Sequence, residues 1–131
     1  MQKNDVIICC TGKVSLGKVD LYEIDDDAVL TVDNYLVRLN ENFNPLFFVY
    51  FFRSILGVFQ IERDYTGATN QIHLYEKQIV EFDIPNFSLT KQTEIVSRIK
   101  TQIDAQNIID NKIEQKQQQI NGIIENAIKS D

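Results

Sequence analysis

The chain has no tryptophan, two prolines, two cysteines and a single histidine among 131 residues. Each shortage narrows what it can be. One histidine, His73, cannot assemble a histidine-based metal site alone, and it reads as a surface or packing residue. The two cysteines, Cys9 and Cys10, are adjacent. Neighbouring strand positions face opposite ways, which does not suit an ordinary disulfide, so both read as reduced, small hydrophobic residues. The N-terminus MQKNDVIICC lacks a basic region followed by a long apolar one, so no signal peptide is expected. The longest apolar run, PLFFVYFF before Arg53, falls far short of the about 20 residues that a spanning helix needs. These absences predict a soluble, cytoplasmic chain.

Positive charge is also scarce where a globular domain would lie. Residues 1–88 hold seven Lys and Arg against thirteen Asp and Glu, a net charge of −6, while residues 89–131 hold six of each. An acidic head argues against non-specific nucleic-acid binding through a broad basic face, so any DNA contact has to be local. What is present is enough apolar material for a core: 44% hydrophobic and 10% aromatic residues, in a length that suits one modest domain or a small domain plus an extended element.

DVIICC reads as a short buried strand, and KVDLYEI, with Val19, Leu21 and Ile24 alternating, reads as a second. Asp25, Asp26 and Asp27 read as a solvated turn. AVLTVDNYLVRL is again strand-like. Asn44 is placed to cap a helix with Pro45 at its first position, over PLFFVYFFRSIL, ended by Gly57. A strand is the alternative for that aromatic run. The next segment, to Lys77, reads as irregular around Gly67 with short extended pieces either side, and IVEFDIP as a strand closed by Pro85. From Thr90, the expected N-cap, to about Lys129 there is no proline and only one glycine. Val96, Ile99, Ile103, Gln106, Asp110, Ile113, Gln117, Ile120, Ile124 and Ala127 step by three and four, a heptad seam with polar interruptions. One helix here would be roughly 58 Å long at 1.5 Å per residue. Its isoleucine stripe calls for a partner helix. The expected fold class is α+β: a small mixed β-rich globular domain over 1–88, then one long C-terminal coiled-coil helix over 89–131.

TGKVSLGKV, Thr11 to Val19, nearly matches the phosphate-binding pattern G-x-x-x-x-G-K-[ST]. Val19 replaces the magnesium-binding hydroxyl, and the residues after it alternate as a strand where that loop requires a helix. Asp20 and Asp25–Asp27 would also repel phosphate. A glycine-bearing connection between two antiparallel strands is the better reading. Nothing in the spacing builds a catalytic constellation, a metal site or a cofactor site, so the residues alone reach a non-enzymatic α+β domain with a dimerising helix.

Four stretches, in order, resemble one family: the DNA specificity subunit of type I restriction–modification systems. Asn4 to Val19 is similar to its G-D-[apolar]3-x-x-x-G-x-x-G-[KR] stretch, with Asn4 in place of the glycine. Asn44 to Gly57 resembles its P-x-[FY]-[apolar]-x-[YF]-x-[apolar]-x-S helix. Thr66 to Leu74 resembles its G-[AST]-x-[QRK]-x-x-[ILV] loop. Ile79 to Ile99 resembles its strand, I-P and L-x-x-Q-x-x-I-[AV] helix start, with Leu89, Gln92, Ile95 and Val96 in register. The resemblance covers the C-terminal part of one target recognition domain and one spacer helix, where full subunits carry two of each.

The resemblance implies a non-catalytic, cofactor-free protein that binds double-stranded DNA and carries methyltransferase subunits, with a restriction subunit attached indirectly. Pairing would run through Val96, Ile99, Ile103, Ile113, Ile120 and Ile124, to a second copy or to another specificity polypeptide. The residues suited to DNA are Thr11, Lys13, Ser15 and Lys18 on the glycine connection, and Thr66, Thr69, Asn70, Gln71 and His73 on the second loop. Arg38, Arg53 and Arg63 are lesser candidates. A plain turn, with Gly67 at positive φ and Asn70 bonding locally, competes for the second loop. The rival from another class is a coiled-coil interaction protein whose head binds no DNA, an inert remnant of a specificity subunit included.

Overall fold

The β-branched, apolar run Val6–Cys9 forms the central strand, β1, of a three-stranded antiparallel sheet in a computed structural model that describes residues 1–64 and 72–130. β2 is Val19–Leu21 and β3 is Asn34–Val37, in the order β2-β1-β3. Val6 pairs with both Leu21 and Val37, and Ile8 with both Val19 and Tyr35. Period-two alternation then buries Val6, Ile8 and Val19 on one face, where they meet Phe48, Val49, Phe52, Ile61 and Leu74.

That face is covered by α1, Pro45–Arg53, which starts as its sequence predicts: Asn44 is extended and its side-chain oxygen accepts from the Leu46 N–H at 3.0 Å. Its phenylalanines continue into the core, Phe48 on Phe52 at 5.7 Å and Phe52 on Phe82 at 4.6 Å. The helix reading for this run therefore holds over the strand alternative.

The expected stop at Gly57 does not occur. Ser54, extended at ψ 166°, ends α1, and a second helix, α2, follows at Ile55–Asp64 with Gly57 inside it. The Ser54 hydroxyl donates to Phe51 O at 2.5 Å and accepts from the Gly57 N–H at 3.4 Å, so one serine closes one helix and opens the next. Gly57 is needed for space: a Cβ there would lie 2.2 Å from the Phe52 carbonyl oxygen. α1 and α2 meet at a bend of 67°, and no single helix among the described residues is long and apolar enough to cross a membrane.

Three more expectations change. The second and third strands are shorter than their sequences suggest. Glu76–Val80 forms a short helix, α3, and no strand spans Ile79–Pro85. There the buried Gln60 side chain donates to Asp83 O at 3.0 Å and accepts from the Asp83 N–H at 2.8 Å, taking the place of a neighbouring strand. The long helix, α4, spans Leu89–Lys129, and Ser88, not Thr90, caps it: its hydroxyl accepts from the Lys91 N–H and its carbonyl from the Gln92 N–H. The fold is α+β, with a smaller sheet than expected.

By compactness the chain divides into Met1–Val96 and Ser97–Asp131. The first turns of α4 thus belong with the head, where Gln92 and Val96 are buried. In the second unit the helix stands by itself, and Ile113 and Ile120 are 52% and 56% exposed.

Candidate nucleic-acid interface

The glycine connection runs between β1 and β2, with no helix after it, so the arrangement of a nucleotide-binding loop is missing. Gly12 (φ +90°) and Gly17 (φ +74°) are both left-handed. Leu16 N–H to Gly12 O, Lys18 N–H to Ser15 O and Gly17 N–H to Cys9 O fold Thr11–Lys18 into a tight hydrogen-bonded turn. Gly17 has a second reason: a Cβ there would sit 2.8 Å from Cδ1 of Ile61.

Lys13 and Lys18 are exposed, and Thr11 and Ser15 half-buried. The two lysines serve different hollows that share Leu16, Gly17 and Val58 as a divide. Lys18 lies beside Asp20, Asn34 and Arg53 in one of about 550 Å³. Lys13 lies beside Glu62 and Ile72 in the other, of about 460 Å³. Each hollow also holds a carboxylate: Asp20 in the first, where Arg53 reaches it at 3.3 Å, and Glu62 in the second.

Thr66, Thr69, Asn70 and Gln71 fall outside the described residues. His73, the other member of that loop group, is brought to the glycine connection: it forms an antiparallel bridge with Thr11, and the Leu74 N–H donates to Cys10 O at 2.9 Å. Thr11 also donates its hydroxyl to Asp33 at 3.1 Å. The His73 ring lies 4.4 Å from that of Tyr75, an exposed aromatic side chain that sequence reasoning did not single out. No periodicity could have marked it, because its position depends on a bridge across 62 residues.

Arg38 and Arg53 have structural work. Arg38 forms a two-point ion pair with Asp5, Nε to Oδ1 at 2.7 Å and Nη2 to Oδ2 at 2.8 Å. That hydrogen bond holds the buried Asp5 carboxyl below its ordinary range, against the burial that would raise it. Arg53 donates twice to Val19 O and reaches Asp20 at 3.3 Å. In the acidic turn the Tyr22 hydroxyl donates to Asp26, which pushes the phenol up to about 12. Burial raises the Cys10 thiol. Cys9 and Cys10 are both free thiols. No group of His, Cys, Asp and Glu among the described residues could hold a metal ion.

Other positions singled out by the sequence pattern have definite roles. Asn4 adopts φ 73°, left-handed, in a turn closed by Asp5 N–H to Gln2 O at 3.0 Å. Asparagine tolerates that region better than most residues with a Cβ. Gln92, fully buried, accepts from the Asn44 N–H at 2.8 Å and donates to Asn42 O at 3.0 Å and Phe87 O at 2.9 Å. Of the assigned pairing residues, Val96 is buried in the head and Ile99 half-buried, while Ile103, Ile113, Ile120 and Ile124 are exposed.

No family model matches the chain, and no curated protein matches it.

Proposed function

We propose that the chain is the DNA sequence-recognition component of a type I restriction–modification complex, non-catalytic and cytoplasmic. It would pair through α4 and carry methyltransferase subunits on DNA. The observation that carries this reading is the order and spacing of four sequence stretches over nearly the whole chain. Structural roles at the quoted positions are in keeping with it: left-handed backbone at Asn4, Gly12 and Gly17, and the buried Gln92 at the helix start. The exposed isoleucines of the second unit offer a stripe that water does not favour and that a second helix would cover.

In this mechanism the head places Thr11, Lys13, Ser15, Lys18 and His73 against a DNA groove, and the paired helices set the distance between two half-sites. Lysines and hydroxyls suit phosphates, where they fix position without reading sequence. The test is Lys13→Ala with Lys18→Ala in the assembled methyltransferase. Loss of two phosphate contacts lowers the slope of log K against log salt by about 2. An unchanged slope counts against the assignment. Capture of a methyltransferase subunit, followed by mapping of methylated sites, tests the reading as a whole.

The second reading, a coiled-coil interaction protein without DNA recognition, is favoured by one observation: the charge of −6 in residues 1–88. It expects no methyltransferase capture and no change in any DNA affinity on lysine removal.

A further inference from the structure

The sheet has two edges, and the protein treats them differently. Cys9 N–H bonds to Lys18 O and Tyr22 N–H to Asp5 O, so Val19 and Leu21 turn their main-chain groups away from β1. Side chains take two of its four outward groups: Arg53 donates to Val19 O at 3.0 and 2.7 Å, and Asp20 accepts from the Leu21 N–H at 2.9 Å. On the opposite edge, Cys10 N–H to Asp33 O fixes the parity. Tyr35 and Val37 bond to β1, and Leu36 turns its N–H and C=O outward. Among the described residues nothing takes either group.

An open edge of this kind is a template for an added strand. The chain that leads into it is distinctive. Val29 and Val32 are 91% and 95% exposed. Between Val19 and Val37 there are six Asp and Glu and no Lys or Arg. We propose that the outer edge of β3 receives an extended segment of a partner protein in which Lys or Arg alternates with apolar residues. Its main chain bonds to Leu36, its cations are drawn to the acidic segment that leads into β3, and its apolar residues suit the exposed Val29 and Val32 of that segment. A second copy does not fit this edge, because pairing would bring two such acidic segments together. The inference is independent of the DNA reading.

The test is amide hydrogen exchange on the full chain, with a synthetic alternating Lys–Val heptapeptide and its Glu–Val counterpart as probes. The Lys–Val peptide slows exchange at the Leu36 amide by about tenfold or more at saturation, and the Glu–Val peptide does not. Leu36→Pro removes only the outward N–H and abolishes the binding. Should that variant fail to fold, an N-methylated Lys–Val peptide gives the same information on the unaltered protein and is expected not to bind. Equal binding by Leu36→Pro or by the N-methylated peptide overturns the proposal, as does binding without protection at Leu36. Protection that rises with protein concentration alone assigns the edge to a second copy and overturns it too.

Discussion

Gln92 offers the sharpest test of how the head is held together. Its side chain is fully buried and makes three bonds, all to main chain: one from Asn44 N–H, and one each to the carbonyls of Asn42 and Phe87. The amide thus ties the start of α4 to the cap of α1 and to the segment before α4. Gln92→Leu keeps most of the volume but leaves one N–H and two carbonyls without partners. Each stranded group costs about 1–3 kcal/mol where it is cut off from water; Asn42 is exposed and Asn44 and Phe87 are half-buried, so water relieves part of that sum. The expected loss is about 3–4 kcal/mol, a large share of the stability of a small domain. Gln92→Glu separates the contributions. The carboxylate still accepts from Asn44 but faces two carbonyl oxygens, and burial raises its folded pKa above the unfolded value of about 4.3. A group raised in this way stabilises most below the unfolded pKa, and that contribution is lost as pH rises through the folded pKa. Gln92→Glu is therefore closest to the parent near pH 4 and weakest at pH 7. Urea unfolding followed by tyrosine fluorescence and near-ultraviolet circular dichroism reads this, since tryptophan is absent and α4 dominates the far-ultraviolet signal. A loss below about 1 kcal/mol for Gln92→Leu, or a Gln92→Glu penalty that does not change between pH 4 and 7, refutes the reasoning.

Asp5 has a folded pKa depressed chiefly by its hydrogen bond from Arg38; its contribution is present above the unfolded value and lost as pH falls through the folded one. Arg38→Ala leaves burial to raise that carboxyl, so the midpoint of acid unfolding moves to higher pH, and a midpoint that stays put contradicts the pairing. Gly57→Ala drives a Cβ against the Phe52 carbonyl and costs about 3 kcal/mol in thermal unfolding; a neutral result would mean that α1 and α2 do not bend there. Gly17→Ala combines left-handed strain with a clash on Ile61, whereas Gly12→Ala meets strain alone. The first therefore costs about 2–3 kcal/mol and the second about 1–2, and Ile61→Val reduces the cost of the first only.

The elements that were legible in the sequence are those whose signals are local. Asn44-Pro45, the β-branched run at Val6 and the proline-free stretch after residue 88 carry their reasons within a few residues. α2 hides because Ile55, Leu56 and Phe59 are exposed, so its apolar residues show no single face. Ile79, Phe82 and Ile84 pack on the core, which gives a strand-like look to a segment whose main chain is in fact held by Gln60. The candidate site divides the same way. The glycine connection was legible because left-handed turns need glycine. The approach of His73 to Thr11, and the commitment of Arg38 and Arg53 to Asp5 and Val19, depend on partners 62, 33 and 34 residues away.

Among the described residues, Asp5, Gln60 and Gln92 are the buried polar residues of the head, and all three work as clamps on chain that the short sheet does not reach. Asp5 accepts from the Gln2 N–H and Arg38, Gln60 brackets Asp83, and Gln92 joins three segments. Side-chain-to-backbone bonds thus replace ladder bonds in a domain whose strands hold only three or four residues each. Among the described residues no buried side-chain polar atom is left without a partner. On the two proposals made above, recognition falls at the surface of this head: the lysines of the glycine connection, the His73–Tyr75 pair beside it, and the outer edge of β3. The lysines suit an anion and the edge of β3, set in an acidic segment, suits a cation. Salt separates them, since lysine contacts to DNA weaken steeply with ionic strength while the main-chain bonds of an added strand respond far less.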